Sequence, residues 1–189
     1  MDKKFKIVCV FLYYSIFLSC NLSNKTGKQN DAILFLNKVT QLQESIVPSS
    51  TLFSDYLQVV GPIANNGSNY QLEQQQIDSL KNYYNSFMQS IDKATAELSN
   101  LNEFDTSFNI IQPTINHLEI VKNSYVVTIP TYLSVYKIGW DKASDSSRAI
   151  INKGGETLEE GRILASKQRE IQETEVKKLM DKYKLSYPK

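Results

Sequence analysis

The stretch "LEQQQIDSLKNYYNSFMQSIDKATAELSNL", residues 72–101, carries the most regular hydrophobic pattern in the chain. Apolar or aromatic residues recur every three or four positions, and no position of this stripe is charged. This spacing places the stripe on one side of an α-helix. The pattern therefore predicts a helix from about Leu72 to Leu101, about 45 Å long, with one buried face. Its stripe positions are Ile77, Leu80, Tyr84, Phe87, Ile91, Ala94, Leu98 and Leu101.

Two shorter stripes precede this segment. The first predicts a helix that begins near Asp31 and ends at Pro48. The second predicts a short helix that ends at Gly61 and Pro62, because proline lacks the amide donor that a continuing helix needs. The positions of the first stripe are Ala32, Phe35, Val39, Leu42 and Ile46.

A second long stripe follows residue 101, and two prolines fall within it. Each proline removes an amide donor and clashes with the carbonyl four residues earlier. We therefore expect one helix that starts or bends at Pro113, is kinked near Pro130 and ends at about Trp140. The stripe consists of Phe108, Ile111, Ile115, Leu118, Tyr125, Ile129, Tyr132 and Tyr136.

The last helix is predicted from its start signal. Thr157 and Glu160 have the spacing of a capping box, so we expect the pair Gly154-Gly155 to form a turn and the helix to run to about Lys184. The segment is highly charged, which is typical of a half-exposed outer helix. Its sparse apolar spine is predicted to be Leu164, Ile171, Leu179 and Tyr183.

These elements predict an all-α fold, an antiparallel up-and-down bundle of four to five helices in which one helix is kinked at Pro130. The 189 residues suffice for one well-cored domain, which we place at residues 31–185. Gly (7) and Pro (5) are scarce, which argues against a sheet protein with many tight turns.

The N-terminal residues have the features of an export signal. A basic start, residues 1–6, precedes an apolar run from Ile7 to Leu18, which as a helix would cover about 18 Å and is too short to cross a bilayer. The segment "FLSC", residues 17–20, resembles the lipobox of bacterial lipoproteins. This resemblance implies cleavage after residue 19 and attachment of diacylglycerol, with fatty acids such as palmitate, to Cys20. The alternative is an uncleaved membrane anchor from Phe5 to Leu22.

A polar tether is predicted to follow the lipid. Residues 20–30 lack hydrophobic periodicity, which is typical of a flexible linker. Asn21 stands where an inner-membrane retention signal would have Asp, so the resemblance implies an outer-membrane lipoprotein of the cell envelope, with the leaflet left open. As a whole, the chain resembles uncharacterised envelope lipoproteins built as small helical bundles.

Few residues suggest chemistry. The single histidine, His117, cannot by itself make the paired-histidine sites common for zinc, and is interpreted as structural or surface-exposed. No catalytic glycine, serine or metal motif occurs, so we expect no enzymatic activity, no catalytic residues, no metal and no cofactor. Lys and Arg (21) balance Asp and Glu (20), which disfavours a nucleic-acid partner.

One group of residues is a candidate ligand site. Rings with polar tips are favoured both in ligand grooves and at the end of a bundle core, so both interpretations stay open. A groove could open where Pro130 bends the helix. The candidate residues are Tyr84, Tyr125, Tyr132, Tyr136 and Trp140.

The leading hypothesis is a non-enzymatic lipoprotein whose bundle binds another envelope protein or has a structural part. Two alternatives are a carrier of a small ligand or lipid with an aromatic pocket, and an inhibitor or immunity-type protein. The charged last helix is either a solvated surface or a docking surface. The oligomeric state is not predicted.

Overall fold

The computed structural model of the protein describes residues 27–66 and 71–185. These residues form helices and no strand, which confirms the predicted all-α bundle. The six α-helices are α1 (Gly27–Glu44), α2 (Val47–Asn66), α3 (Gln74–Ser99), α4 (Ile111–Val126), α5 (Thr128–Ile138) and α6 (Asp145–Lys182), with a 3₁₀ turn at Trp140–Lys142 between α5 and α6.

The six helices form four rods, because α1 leads directly into α2 and α4 leads directly into α5. The four rods alternate in direction. Along each neighbouring pair of rods, residue numbers rise in one partner while they fall in the other. The contacts that establish this order are Ser49–Ser90 and Tyr56–Tyr83 between α2 and α3, Asp92–Lys122 and Phe87–Tyr125 between α3 and α4, and Asn116–Gln168 and Tyr132–Ile151 between the α4–α5 rod and α6.

Both two-helix rods are interrupted four residues before a proline. Helix α1 ends at Glu44, four residues before Pro48, and α4 ends at Val126, four residues before Pro130. Proline has no amide hydrogen to donate to the carbonyl four residues earlier, so the helical hydrogen-bond series stops there. The break before Pro130 lies at Val127, within the region predicted to bend, and the predicted single helix is two helices.

The first two helices extend beyond their predicted limits. Helix α1 begins at Gly27, so residues 27–30 are helical. These four residues are therefore not part of the tether predicted at 20–30. Helix α2 continues through Gly61 and Pro62 to Asn66, whereas the sequence predicted an end at that pair. A proline inside a longer helix costs stability, and packing of a buried face can offset that cost. Residue Val60 is fully buried directly before the pair.

Helix α3 is the central element, and its sequence prediction is confirmed within two residues at each end. It contacts α1, α2, α4 and α5, so its predicted stripe is surrounded by other helices. A capping box formed by Glu73 and Gln76 satisfies amides at its N-terminus. Its buried residues are Ile77, Leu80, Tyr84, Phe87, Met88, Ile91, Ala94 and Leu98.

The predicted start of the last helix is wrong. Helix α6 begins at Asp145, and the Ser144 hydroxyl caps it by accepting a hydrogen bond from the Ser147 amide at 3.1 Å. The pair Gly154-Gly155, predicted as a turn, therefore lies inside the helix. Helical glycine costs about 1 kcal/mol relative to alanine, and close packing can offset this cost.

Two glycines of α6 allow it to approach the α4–α5 rod closely. A Cβ atom added at Gly161 would lie 1.8 Å from Ser124 Oγ and 2.8 Å from Ser124 Cβ. A Cβ atom at Gly154 would lie 3.0 Å from Thr128 Cγ2 and 3.2 Å from the Tyr132 ring. The contact between these rods therefore requires small residues on α6, most strictly at Gly161.

The predicted spine of α6 is also partly wrong. Leu164 and Ile171 are 51% and 47% exposed, whereas Leu179 is fully buried. Between Gly154 and Gln172 the buried residues of α6 are small or polar, and large apolar residues are buried only from Val176 onward. The buried residues of α6 are Gly154, Gly161, Ala165, Gln172, Val176, Leu179 and Met180.

The loop before α4 is fastened to the C-terminal end of α6. Asp105 accepts hydrogen bonds from the Lys182 ammonium (2.6 Å) and the Tyr183 hydroxyl (2.8 Å). The Lys182 hydrogen bond is the main cause that lowers the pKa of Asp105. The Gln29 side chain donates to the Tyr183 carbonyl at 2.9 Å, so the start of α1 meets the same end of the bundle.

Candidate functional site

The predicted aromatic residues occupy several places in the bundle. Tyr84 and Tyr125 lie in the core with two phenylalanines, Phe53 and Phe87. The Tyr125 ring packs edge-on against Phe53 at 5.8 Å and against Phe87 at 5.7 Å between ring centroids. Burial raises the pKa of Tyr84, so its hydroxyl stays neutral at ordinary pH. A ligand at this point would have to separate packed rings.

The aromatic residues of α5 and the following turn face other neighbours. Tyr136 is fully buried, and its ring lies 5.7 Å from that of Tyr132. The Tyr132 hydroxyl donates to the Ile151 carbonyl on α6 at 3.3 Å. Trp140 lies partly exposed in the 3₁₀ turn, and its carbonyl accepts a hydrogen bond from Arg148 at 3.3 Å. The ligand-groove and core interpretations of this set remain predictions, and these contacts favour the core.

His117 lies buried between α4 and α6. Its Nδ1 atom is 2.9 Å from the Ala165 carbonyl oxygen, a distance that suits donation by the neutral ring. Burial lowers the pKa of His117, and the neighbouring positive charge of Arg169 contributes in the same direction. This position gives the imidazole a role in helix packing.

The N-termini of the long helices are satisfied by the chain itself. The Glu103 carboxylate accepts hydrogen bonds from the Ile110 and Ile111 amides at 2.7 and 2.6 Å. These are the amides at the start of α4 that could otherwise receive an anion. Burial raises the pKa of Glu103, and the two amides oppose this shift. Gly154-Gly155, predicted as a turn before a helix start, lies inside α6 and presents no helix N-terminus to an anion.

Residues 27–66 and 71–185 contain no group of three His, Cys, Asp or Glu side chains arranged to hold a metal ion. Within the same residues, no helix combines the length and the apolar character needed to cross a bilayer. The predicted lipid attachment point, Cys20, lies outside the described residues together with the predicted signal peptide.

The outer side of α6, which the sequence left open as a solvated or a docking surface, exposes apolar side chains that were not predicted to lie there. Three large apolar side chains point away from the core, Ile163, Leu164 and Ile171, and they are 44%, 51% and 47% exposed.

Comparisons with known protein families, with curated proteins and with solved structures find no match to this chain.

Proposed function

We propose that the protein is a lipoprotein of the cell envelope, anchored through diacylglycerol on Cys20, whose helical bundle acts as a non-enzymatic binding or structural module. The observation that carries this proposal is the order of a basic start, a short apolar run to Leu18, the small residue Ser19 and then Cys20. That order of segments is typical of a cleaved lipoprotein signal.

The described part of the chain is compatible with such an anchor. Helix α1 begins at Gly27, and the seven residues before it, 20–26, could span at most about 25 Å. A thioether-linked diacylglycerol carries more than one acyl chain, and two chains give stable membrane residence where one gives weak binding. Asn21 supports the outer membrane as the destination, since it does not match the retention signal.

Metabolic labelling with radioactive palmitate tests the anchor. The natural chain and a Cys9→Ser variant are both expected to carry label, because Cys9 would be removed with the signal. A Cys20→Ser variant is expected to carry none. Intact-mass analysis of the natural protein should give a chain that begins at Cys20 and carries lipid mass. A native protein that begins at Met1 and has the mass of its amino acids alone would contradict the proposal.

A binding role can be tested on the exposed surface of α2. Leu52 and Val59 are 54% and 59% exposed and lie seven residues apart, on the same side of that helix. A photo-crosslinking amino acid at either position in intact cells is expected to trap one partner of defined mass. The same amino acid at Ser86, an exposed position on α3, serves as the control. Equal adducts at all three positions would indicate nonspecific contact.

A further inference from the structure

The outer face of α6 is a single stripe of exposed side chains. Its positions are separated by three or four residues, so they lie above one another on the helix. Two apolar side chains flank a central lysine, and further charges lie toward its ends. The stripe consists of Glu156, Glu160, Ile163, Lys167, Ile171, Thr174 and Lys178, all of them exposed.

The spacing of this stripe is symmetric about Lys167. Ile163 and Ile171 lie four residues to either side, and Glu156 and Lys178 lie eleven residues to either side. The apolar residues are thus matched across the centre, whereas the charges are opposite. Lys153 and Asp181 are also exposed and lie fourteen residues from the centre. They form a second pair of opposite charges, with the positive residue on the N-terminal side.

We propose that the outer face of α6 is a self-association surface, on which two copies of the chain pair antiparallel about a twofold axis at Lys167. In a twofold interface, if residue i meets residue j, then j meets i. Ile163 of each copy would then meet Ile171 of the other copy. Glu156 would meet Lys178, so a matched spacing with inverted charge is what this pairing requires.

The charges along this face favour a second copy of the chain as the partner, paired antiparallel. In the parallel arrangement, Glu156 would lie beside Glu156 and Lys178 beside Lys178, and like charges would repel. Antiparallel pairing leaves one unfavourable contact, Lys167 with Lys167 at the axis. The long flexible stem of lysine allows each ammonium to turn toward Glu170 of the other copy, one helical turn away.

The stripe also suits a short pair of helices with little supercoiling. From Glu156 to Lys178 it advances 22 residues in six steps of three or four, an average of about 3.7 residues per turn. This period slightly exceeds the 3.6 residues of a straight α-helix, so the stripe drifts by about 40° over its length and the two helices would pair with a slight right-handed twist. One pair of helices buries less surface than most stable interfaces, so we expect a dimer with a Kd of roughly micromolar order.

Sedimentation equilibrium of the full-length chain in detergent tests the proposal. The natural chain is expected to show a reversible monomer–dimer equilibrium. Glu156→Lys alone should raise the dimer Kd by about tenfold or more, because it replaces two attractive pairs with two repulsive ones. The same holds for Lys178→Glu, although this substitution also removes the 2.7 Å contact of Lys178 with Glu175. The double variant should restore association.

Two controls separate pairing from folding and from general charge effects. Asp55→Lys makes the same charge change on α2 and is expected to leave the Kd unchanged. Far-ultraviolet circular dichroism shows whether each variant keeps its helices. Ile163→Ser combined with Ile171→Ser should abolish the dimer while the monomer stays folded, since both side chains are already exposed.

Zero-length carbodiimide coupling of the natural chain supplies direct evidence of register. A Glu156–Lys178 amide is expected between copies, because these residues lie about 33 Å apart along one helix and cannot be joined within it. A strictly monomeric natural chain at 100 μM would overturn the proposal. So would a double charge variant that fails to regain association, or an Asp55→Lys variant that weakens it as much as Glu156→Lys.

Discussion

Helices α3 and α6 meet the same core with different side chains. The buried face of α3 consists mostly of large residues, among them Leu80, Phe87 and Leu98. The buried face of α6 includes Gly154, Gly161 and further small or polar residues. Helix α3 is surrounded by four other helices, so large side chains fill the space between backbones. Helix α6 approaches one rod closely, and a large side chain at that contact would clash.

This difference limits what hydrophobicity says about burial. In a central helix the apolar stripe and the buried face coincide. In α6 close backbone approach selects small residues for the contact, so apolar residues such as Leu164 and Ile171 lie outside. Substitutions in the two helices can separate the contribution of side-chain size to the free energy of unfolding from that of hydrophobicity.

The largest effect is expected in α3. Leu98→Ala removes a fully buried side chain from a surrounded helix, so it should lower the free energy of unfolding by about 2–5 kcal/mol. Urea denaturation followed by circular dichroism measures this change. Ser86→Ala, at an exposed position of the same helix, is the control and should stay within about 0.5 kcal/mol of the natural protein. A loss below 1 kcal/mol for Leu98→Ala would contradict the central position of α3.

The next effect is expected at Gly161. Alanine favours helices by about 1 kcal/mol over glycine, yet Gly161→Ala should destabilise the protein by about 1–3 kcal/mol because its methyl group would overlap Ser124. Adding Ser124→Gly removes both overlapping atoms and should recover most of the overlap cost, less the helix propensity lost at position 124.

The matched control for Gly161 is Gly27→Ala. An added methyl group at Gly27 would meet nothing within 4 Å, so the change should be neutral or slightly stabilising. A stable Gly161→Ala variant would mean that α6 packs less closely on α4 than we describe.

The sequence predicted the helices whose burial depends on large apolar stripes. Helix α3 and the segment that forms α4 and α5 were placed from periodicity, and Pro130 indicated the interruption at Val127. The start of α6 was missed because Gly154-Gly155 is typical of a turn, and the partner that makes glycine favourable there, Tyr132, is distant in sequence. The cap at Ser144 was a signal that could have located the start.

The sequence predicted some of the candidate sites better than others. Cys20 could be proposed as a lipid attachment point because the signal for it is local in the sequence, where an apolar run ends just before it. Whether Tyr125 and Tyr136 form a groove or a core depends on which helices surround them, and no local pattern contains that information. The surface at Ile163 and Ile171 was missed because the outward direction of those residues follows from the placement of Gly161 against Ser124.

The lipid anchor and the α6 dimer restrict each other if both proposals hold. The start of α1 lies near the C-terminal end of α6, where Gln29 contacts Tyr183. In an antiparallel pair the two anchored ends therefore lie at opposite ends of the dimer. Short tethers could reach one membrane from both ends if α6 runs along its surface. Variants that lengthen the segment before Gly27 would remove this restriction.

A pH-dependent effect is expected at the contact between α4 and α6. Burial in the folded state lowers the pKa of His117 below its value of about 6.5 in the unfolded chain. The buried neutral ring therefore contributes its full stabilisation at pH values above about 6.5. This contribution is lost as the pH falls below that value, because the unfolded state then binds the proton more readily. Urea denaturation of the natural protein between pH 7.5 and 5 should show the loss, and His117→Gln should reduce it. An equal slope in both proteins would assign the effect to other groups.

The smallest effect on folding is expected at Ile171, and its neighbour Gln172 makes the sharpest contrast. Ile171 is apolar but 47% exposed, so Ile171→Ala should cost less than about 1 kcal/mol in dilute monomeric protein. Gln172 is polar but buried, and its amide exchanges two hydrogen bonds of 3.2 Å with Gln43 on α1. Gln172→Ala leaves the Gln43 amide without these partners, so it should cost about 1–3 kcal/mol. Hydrophobicity alone predicts the reverse order. Urea denaturation of the two variants at equal concentration, well below the dimer Kd, therefore decides whether packing geometry or side-chain type governs α6.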